Sequence, residues 1–212
     1  MNLVLLGPQG CGKGTQAEFL VGDFNLERFE MGSYLREIAK KRHDVDEMVN
    51  ARGVLVPDEL TNELLKEHLD SINKYDGIVF DGFPRTLLQY RRLKAFLAEH
   101  NSKVDFVFLI NISTEESIRR LSARRMDPIT GKIYNLITNP PDSSVDLNSL
   151  VHREDDKPES IKTRLEAYHS VTQSVIAEAK EDGLLYEING ENEIETIHGE
   201  IIAVIKSKQS TL

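Results

Sequence analysis

The sequence predicts an α/β fold in which helices cover both faces of a doubly wound, five-stranded parallel sheet. Three observations predict it: short apolar runs spaced along the chain, helical patterns between them, and a glycine-rich loop directly after the first run. Nearly continuous apolar runs are typical of parallel strands buried on both faces, and their alternation with helices is typical of doubly wound sheets. The predicted strands are Asn2–Leu6, Glu27–Glu30, Gly77–Asp81, Phe106–Ile112 and Leu184–Ile188.

Helical patterns fill the intervals between these strands. The first helix is predicted to begin near Thr15, because Ala17, Leu20 and Val21 then fall on one face. The tail, Lys206–Leu212, is expected to fray. The other predicted helices are Glu59–Asp70, Thr86–His100, Glu115–Arg125 and Ile161–Lys180.

Two segments interrupt the alternation and predict two small inserts. Residues 33–59 are charged and helical in pattern, whereas residues 126–156 are poor in helix formers and contain Pro128, Pro140 and Pro141. Structureless loops of that length are uncommon in compact domains, so we expect each segment to be a functional insertion. The predicted division is a core of residues 1–29, 60–121 and 157–212, one insert of residues 30–59, and another of residues 122–156.

The composition is that of an acidic, folded chain. Its 212 residues include 26 Lys and Arg against 35 Asp and Glu, a formal net charge of −9, which argues against a nucleic-acid-coating role. The lone Cys11 cannot form a disulfide framework or a thiolate zinc cluster. The run Leu3–Leu6 is short and follows no basic segment, so we expect neither a signal peptide nor a membrane span, and a cytoplasmic location.

Residues 7–15 have the composition of a phosphate-binding P-loop. Gly7, Gly10 and Gly12 leave backbone N–H groups open to phosphate oxygens, where other side chains would block them. The helix that begins near Lys13 points its positive end at the same anion. Lys13 itself supplies a cation that can follow a migrating phosphoryl group.

The loop departs from the strict Walker A pattern directly after the lysine. Gly14 takes that position, and the hydroxyl comes one residue later, as Thr15. The pattern therefore does not predict a Mg²⁺ ligand in the residue after the lysine. Cys11 also lies in the loop, and we interpret it as a small residue whose backbone N–H faces phosphate rather than as a nucleophile.

A second motif, Asp81-Gly-Phe-Pro-Arg85, ends the apolar run Ile78–Phe80. The carboxyl ends of parallel strands form the edge at which ligands bind in open α/β sheets. A carboxylate there can hold Mg²⁺ through water, and a turn or helix cap is the alternative for Asp81. Pro84 fixes the backbone before Arg85, which suits an oriented guanidinium, and a solvated surface arginine is the alternative there.

Together these motifs resemble those of the adenylate kinase family, within the nucleoside monophosphate kinases. Residues 7–16 read Gly-x-x-Gly-x-Gly-Lys-Gly-Thr-Gln, and Asp81-Gly-Phe-Pro-Arg85 is the more specific signal. The resemblance extends through nearly the whole chain. It implies reversible phosphoryl transfer from MgATP to AMP, giving two ADP, by a monomer that binds neither nucleic acid nor a membrane. It also implies that residues 30–59 bind AMP and that residues 122–156 form a lid.

The resemblance further implies which residues form the site. The implied ATP-binding residues are Gly10, Cys11, Gly12, Lys13, Gly14, Thr15, Arg120, Arg124, Ile133, Tyr134 and Asn192. The implied AMP-binding residues are Met31, Gly32, Arg36, Val54, Leu55, Val56, Gly82, Phe83, Pro84, Arg85, Gln89, Arg153 and Arg164. The implied catalytic residues are Lys13, Arg85, Arg120, Arg124, Arg153 and Arg164, with Asp81 holding Mg²⁺ through water.

The chain departs from the family pattern at Met31-Gly32-Ser33, where the family usually has Thr-Gly-Asp. Methionine packs against a base but cannot make the hydroxyl's hydrogen bond. The loss of about 0.5–1.5 kcal/mol predicts weaker AMP binding or relaxed base choice. Residues 126–156 contain no cysteine, so no structural zinc is expected, and the long lid favours an adenylate kinase over the related UMP and CMP kinases.

Two other functions remain open from the sequence. Met31 is compatible with a same-fold kinase of changed donor or acceptor base, such as a GTP:AMP phosphotransferase. A nucleotide-dependent switch would bind nucleotide but scarcely turn over. A switch has no need for the full set of arginines, whereas a phosphotransferase uses them to neutralise phosphates beneath a lid that excludes water.

Overall fold

The computed structural model describes residues 1–50, 56–152, 156 and 158–209. Its strands are β1 (Leu3–Leu6), β2 (Glu27–Glu30), β3 (Ile78–Asp81), β4 (Phe106–Asn111), β5 (Arg124–Met126), β6 (Ile133–Asn135) and β7 (Leu185–Asn189). Its helices are α1 (Lys13–Phe24), α2 (Met31–Ala39), α3 (His43–Asn50), α4 (Asp58–Ile72), α5 (Leu87–Glu99), α6 (Thr114–Ser122), α7 (Pro158–Glu181) and α8 (Ile194–Gln209).

Five strands form one parallel sheet in the order β2-β3-β1-β4-β7. Successive side chains of β1 enter different layers, as the pleat requires. Leu3 and Leu5 join the cluster that α1 and α8 cover, whereas Val4 and Leu6 join the cluster formed with α4, α5 and α7. Helices therefore cover both faces of the sheet, which confirms the predicted fold class.

The segment after α6 differs from the prediction. The helix expected over Glu115–Arg125 ends at Ser122, and the chain continues as β5, which pairs antiparallel with β6. The backbone of β5 takes its hydrogen-bond partners from β6, and Met126 also exchanges hydrogen bonds with Val151, at 2.9 and 2.8 Å, in place of the bonds of a longer helix. The division into a core and two inserts stays a prediction.

The expected fraying of the tail is wrong for Lys206–Gln209, which belong to α8, and the rest of that tail, residues 210–212, lies outside the described residues. Ile197, Ile201 and Ile205 recur every four residues and are at most 3% exposed, so one stripe of the helix is anchored against α1 and the sheet. In the part of the chain that the structure describes, no helix is both long and apolar enough to cross a membrane.

Candidate active site

The predicted phosphate-binding loop joins β1 to α1 at the middle of the sheet, where β1 lies between β3 and β4. Gly7 has a φ of 147°, and a Cβ there would collide with the carbonyl oxygen of Ile110. Gly12, the N-cap residue of α1, has a φ of 98°, in the left-handed region that favours glycine. The loop thus approaches β4 closely while the N-terminal N–H groups of α1 face its interior.

The Lys13 side chain folds back onto this loop. Its Nζ donates hydrogen bonds to the carbonyl oxygens of Gly7 and Pro8, at 2.6 and 2.8 Å, and lies 3.4 Å from Cys11 Sγ. The ammonium is therefore already surrounded by weak, uncharged acceptors. A phosphate oxygen is a stronger acceptor for an ammonium and would replace them.

Cys11 is 1% exposed and packs beneath the loop, so its thiol belongs to the apolar layer rather than to the surface. Tyr168, from α7, comes near it: burial, and then the neighbouring Cys11, raise the pKa of the Tyr168 hydroxyl. Sequence reasoning did not select Tyr168, because a tyrosine on a helix carries no motif of its own.

Helix α6 supports the other side of the loop. The hydroxyl of Ser117, a fully buried residue, donates to the carbonyl oxygen of Gln9. A Cβ at Gly10 would lie 3.5 Å from the Cβ of Arg120, so this predicted ATP-binding arginine stands beside the loop. Arg120 Nε donates to Glu116 Oε1 at 2.5 Å, which orients the guanidinium.

Two of the predicted catalytic arginines converge on one buried carboxylate. Arg124 Nε and Nη2 donate to the two oxygens of Asp156 at 2.6 and 2.5 Å, a bidentate pair. Arg164 Nη1 lies 3.6 Å from the same side chain, which is 0% exposed. Asp156 was not predicted, since a carboxylate in an acidic run is typical of a solvated surface. Arg153 lies outside the described residues.

At the carboxyl end of β3, Asp81 forms an ion pair that the sequence did not predict. Arg28 Nη2, from β2, lies 2.7 Å from Asp81 Oδ2. The same nitrogen is 3.1 Å from Glu30 Oε2, and Glu30 Oε1 is 3.5 Å from Arg36 Nη2. Arg36 Nη2 also donates to Ser33 Oγ at 2.9 Å. Charged residues on a short strand are typical of a solvated face, so neither Arg28 nor Glu30 was selected.

Arg85 is held by its own turn. Its Nε donates to the Gly82 carbonyl oxygen at 2.9 Å, and its backbone N–H donates to Gln89 Oε1 at 2.6 Å. Burial lowers the pKa of Arg85, opposed by Asp81 and reinforced by Arg36, which places all three side chains within electrostatic reach. The charge of Arg36 thus acts on Arg85, the other guanidinium predicted to bind the AMP phosphate.

The amide of Gln89, predicted to read adenine, is engaged with protein groups: its Nε2 donates to Asp58 Oδ1 at 2.8 Å and Thr61 Oγ1 at 3.1 Å. Met31 and Val56, predicted beside the monophosphate base, are 3% and 9% exposed within one apolar cluster. Gly32 follows Met31 in the sequence, and Phe83 and Pro84 precede Arg85. Phe83 packs in the same cluster as Met31. Val54 and Leu55 lie outside the described residues.

The remaining predicted ATP-binding residues occupy three places. Gly14 and Thr15 are in the first turn of α1, and a Cβ at Gly14 would lie 3.7 Å from Asp81 Oδ2. Ile133 and Tyr134 are on β6, next to the strand that carries Arg124. Asn192 follows β7, and its Nδ2 donates to Glu200 Oε1 at 3.2 Å.

No group of three or more His, Cys, Asp or Glu among the described residues could hold a metal ion. Asp81 nevertheless suits Mg²⁺, which keeps much of its water shell and needs only one or two carboxylates beside phosphate oxygens. Its side chain is 9% exposed at the edge where the loop begins α1. A nucleotide's own phosphates would supply the other ligands.

Comparison with known proteins points to one family. Residues 5–184 match the family model described as adenylate kinase. The chain is 39% identical over 213 residues to a protein named adenylate kinase from Methanocella arvoryzae, covering 97% of this chain and 99% of that protein. Proteins of the same name from Shouchella clausii and Methanothrix thermoacetophila are 35% and 38% identical, each covering 99% of this chain and 100% of the relative.

Proposed function

The chain belongs to the adenylate kinase family, and on that premise we propose that it transfers a phosphoryl group from MgATP to AMP, giving two ADP. It is an enzyme, and its reaction is a reversible phosphoryl transfer between adenine nucleotides. A changed donor or acceptor base is not favoured, since relatives matched over nearly the full chain carry the same name. The observation that carries the residue assignment is the meeting of a glycine loop, Asp81 and several guanidiniums at one sheet edge.

On the donor side, the loop N–H groups and Lys13 bind the ATP phosphates. Lys13 exchanges its carbonyl partners for phosphate oxygens and can follow the migrating group. Thr15 lies in the first turn of the same helix. Arg120 stands beside the loop, where it neutralises charge that develops during transfer.

On the acceptor side, Arg36 and Arg85 bind the AMP phosphate, because guanidiniums bind phosphate in bidentate fashion and stay charged. Met31 and Val56 supply the apolar contact for the base, together with Val54 and Leu55. Residues 30–59 form the AMP-binding insert. In-line transfer then needs only that the two phosphates meet end to end, with no covalent enzyme intermediate.

Residues 122–156 form the lid, which closes over the site and excludes water, so that AMP rather than water accepts the phosphoryl group. Arg124 and Arg153 lie near its two ends in the sequence, and Arg164 follows on α7. The shared partner Asp156 keeps Arg124 and Arg164 within reach of each other. We propose that these arginines surround the migrating phosphoryl group.

Mg²⁺ bound with ATP would screen the charge between its phosphates. Asp81 would hold the ion by accepting hydrogen bonds from its water shell. The carboxylate lies close enough to the start of α1 for this, while Arg28 holds its Oδ2.

We propose a monomer in the cytoplasm as the working state. The one cysteine is free and buried, as suits a reducing compartment. Size-exclusion chromatography coupled to light scattering tests the monomer: a mass near 24.0 kDa supports it, and twice that mass contradicts it.

A coupled assay for ADP formed from ATP and AMP tests the proposed reaction, with GMP, CMP and UMP as competing acceptors. The variant Lys13→Met should lower kcat by about 100-fold or more, since removal of one group that stabilises developing negative charge typically costs that much in rate. Lys103→Met removes an exposed lysine distant from the loop in sequence and serves as the control. Near-normal turnover by a folded Lys13→Met protein contradicts the role of this lysine.

A further inference from the structure

Glu30, a carboxylate that the proposed mechanism does not use, lies beside Arg36, one of the two guanidiniums of the proposed AMP-phosphate site. It ends β2 and is the N-cap residue of α2, a position where acidic side chains ordinarily accept backbone N–H bonds. Here the Glu30 side chain accepts no capping hydrogen bond from the described residues of α2. Its oxygens instead contact Arg28 at 3.1 Å and Arg36 at 3.5 Å.

The strand register explains how Glu30 comes to lie there. Glu30 and Asp81 are paired Cα partners at the carboxyl ends of β2 and β3. Like charges at paired positions repel unless a cation lies between them. Arg28, two residues earlier and thus on the same face of β2, contacts both carboxylates through Nη2. We call the resulting series the ion-pair chain: Asp81, Arg28, Glu30 and Arg36.

We propose that Glu30 is a resident counter-ion of the AMP-phosphate site, which neutralises Arg36 until the phosphate of AMP displaces it, with Arg28 retaining the displaced carboxylate. This proposal rests on the proposed binding of the AMP phosphate by Arg36 and Arg85. A phosphate dianion offers a guanidinium a stronger, bidentate contact than one carboxylate oxygen at 3.5 Å. Glu30 therefore lowers the affinity of the site for AMP without closing it.

The arrangement makes Glu30 a specificity-determining residue for the phosphate rather than for the base. Arg36 and Arg85 repel each other before AMP arrives, and Glu30 offsets this repulsion. A ligand must bring enough negative charge to replace that carboxylate. Adenosine, which has no phosphate, gains nothing from displacing Glu30, so its binding reports on the base pocket alone.

Calorimetric titration with AMP and with adenosine, in the absence of ATP and metal, tests the role of Glu30. The variant Glu30→Gln should lower the Kd for AMP about two- to fivefold, the range expected for a partly exposed ion pair, and leave that for adenosine unchanged. Glu30→Asp keeps the charge and should keep the weaker AMP binding. Glu27→Gln removes a charge from the other end of β2 and is the matched control.

Arg28 provides an independent arm of the experiment. Arg28→Gln leaves Glu30 with Arg36 as its guanidinium partner, so AMP should bind about two- to fivefold more weakly. In the Glu30→Gln background, the same change should weaken AMP binding less, because only the contact of Arg28 with Asp81 is then lost and no Glu30 carboxylate remains to be retained. Equal effects of Arg28→Gln in both backgrounds contradict the proposed retention.

The outcomes distinguish the counter-ion role of Glu30 from the proposed binding of the AMP phosphate by Arg36 and Arg85. If Arg36→Gln leaves AMP binding unchanged, the proposed phosphate site itself is wrong. If Arg36→Gln weakens AMP binding while Glu30→Gln leaves it unchanged or weaker, only the counter-ion role is overturned. A lower Kd for both AMP and adenosine in Glu30→Gln would show a change in the base pocket instead, and would also overturn it.

Discussion

Met31 is buried at the position where this chain departs from its family's usual threonine. It is 3% exposed and packs in a cluster that includes Leu35 and Phe83. A thioether fills irregular space well but offers no hydrogen-bond donor. The acceptor base therefore meets an apolar wall at this position in the proposed site.

Met31→Thr should restore a hydroxyl beside the base. We expect the KM for AMP to fall about two- to tenfold, as one neutral hydrogen bond contributes about 0.5–1.5 kcal/mol, and discrimination against GMP, CMP and UMP to sharpen. The cavity left by methionine should lower the free energy of unfolding by about 1–3 kcal/mol. Steady-state kinetics and urea unfolding measure both effects. Met31→Leu, which conserves volume, is the control, and an equal KM change in that variant contradicts the hydrogen-bond explanation.

Sequence reasoning reached single residues where a motif fixed both type and place. Lys13 begins the helix after the loop that follows β1, and Asp81 ends β3, so the apolar runs and the motifs together predicted both positions. The contact of Arg28 with Asp81, and the pairing that sets Glu30 opposite Asp81, depend on the register between β2 and β3, which joins segments about 50 residues apart. No local sequence pattern predicts that register, and a short strand rich in charged residues predicts that Arg28 and Glu30 face solvent.

Helix α6 has a capped first turn that contains Glu116 and a last turn that contains Arg119 and Arg120. These charged side chains interact with one another. The hydroxyl of Ser113 accepts from the Glu116 N–H at 3.2 Å, and Glu116 in turn binds both Arg119 and Arg120. The hydrogen bond from Arg119, reinforced by Arg120 and opposed by burial, lowers the pKa of Glu116 to about 2 from 4.5.

The low pKa of Glu116 predicts a pH dependence of stability. Because the folded carboxyl has the lower pKa, its contribution is complete above about pH 4.5 and is lost as the pH falls towards about 2. We expect Glu116→Gln to remove about 1 kcal/mol at neutral pH, since water screens the half-exposed Arg119. Urea unfolding between about pH 5 and pH 3 should show a shallower decline for this variant.

Glu115→Gln is the matched control, because it removes an exposed carboxylate from the same first turn. Its free energy of unfolding should decline with falling pH as steeply as that of the parent chain. A Glu116→Gln protein with the parent's pH dependence would contradict the assignment of the pKa shift to this cluster.

The helix α8 was not predicted, because its last turn is exposed and contains lysines, which is typical of a frayed tail. The isoleucine stripe packs on α1, and Gln16 Nε2 also donates to the Ile194 carbonyl oxygen at 3.0 Å. His198 joins the same contact, 3.1 Å from Gln16 Oε1 and 2.8 Å from Asp23 Oδ2. The helix that starts at the phosphate loop is therefore held along its length by the end of the chain.

Ile201→Ala should destabilise the protein, because Ile201 is fully buried between α8 and the sheet layer. A loss of about 2–4 kcal/mol in the free energy of unfolding is expected from the cavity. Chemical denaturation measures it, with the exposed Lys208→Ala as the control at the same end of the helix. A change below about 0.5 kcal/mol would contradict the anchoring of α8 by its isoleucine stripe.

At the scale of the whole molecule, the alternation of apolar strands with helices was sufficient to predict the sheet, because a doubly wound fold buries both faces of each strand. The β5–β6 hairpin was not predictable in the same way. Each of its strands has three residues and alternates little, and its pairing depends on contacts such as Arg125 with Tyr134. Function followed from the motifs, while the partners Asp156, Glu30 and Arg28 required the folded arrangement.

A compound that joins two adenosines through five phosphates should bind across the proposed site and stabilise the whole chain. At a concentration about 100 times its Kd, binding adds about 2.7 kcal/mol to the free energy of unfolding. For a chain of this size that corresponds to a rise of about 5–10 °C in Tm. Differential scanning calorimetry measures it, and Lys13→Met should show a smaller rise. No shift at saturating compound would contradict the proposed meeting of two nucleotides.

In the proposed site, the ammonium of Lys13 already has two carbonyl oxygens as hydrogen-bond partners before a nucleotide binds. Nucleotide binding would then replace two neutral carbonyl acceptors by phosphate oxygens, so the energy gained is the difference between two sets of hydrogen bonds. The heat released on docking should then be modest, and departure of the product should meet a correspondingly low barrier. A small net gain on binding suits a reversible reaction, because a site with very high affinity for one nucleotide would release it slowly and limit the rate in that direction.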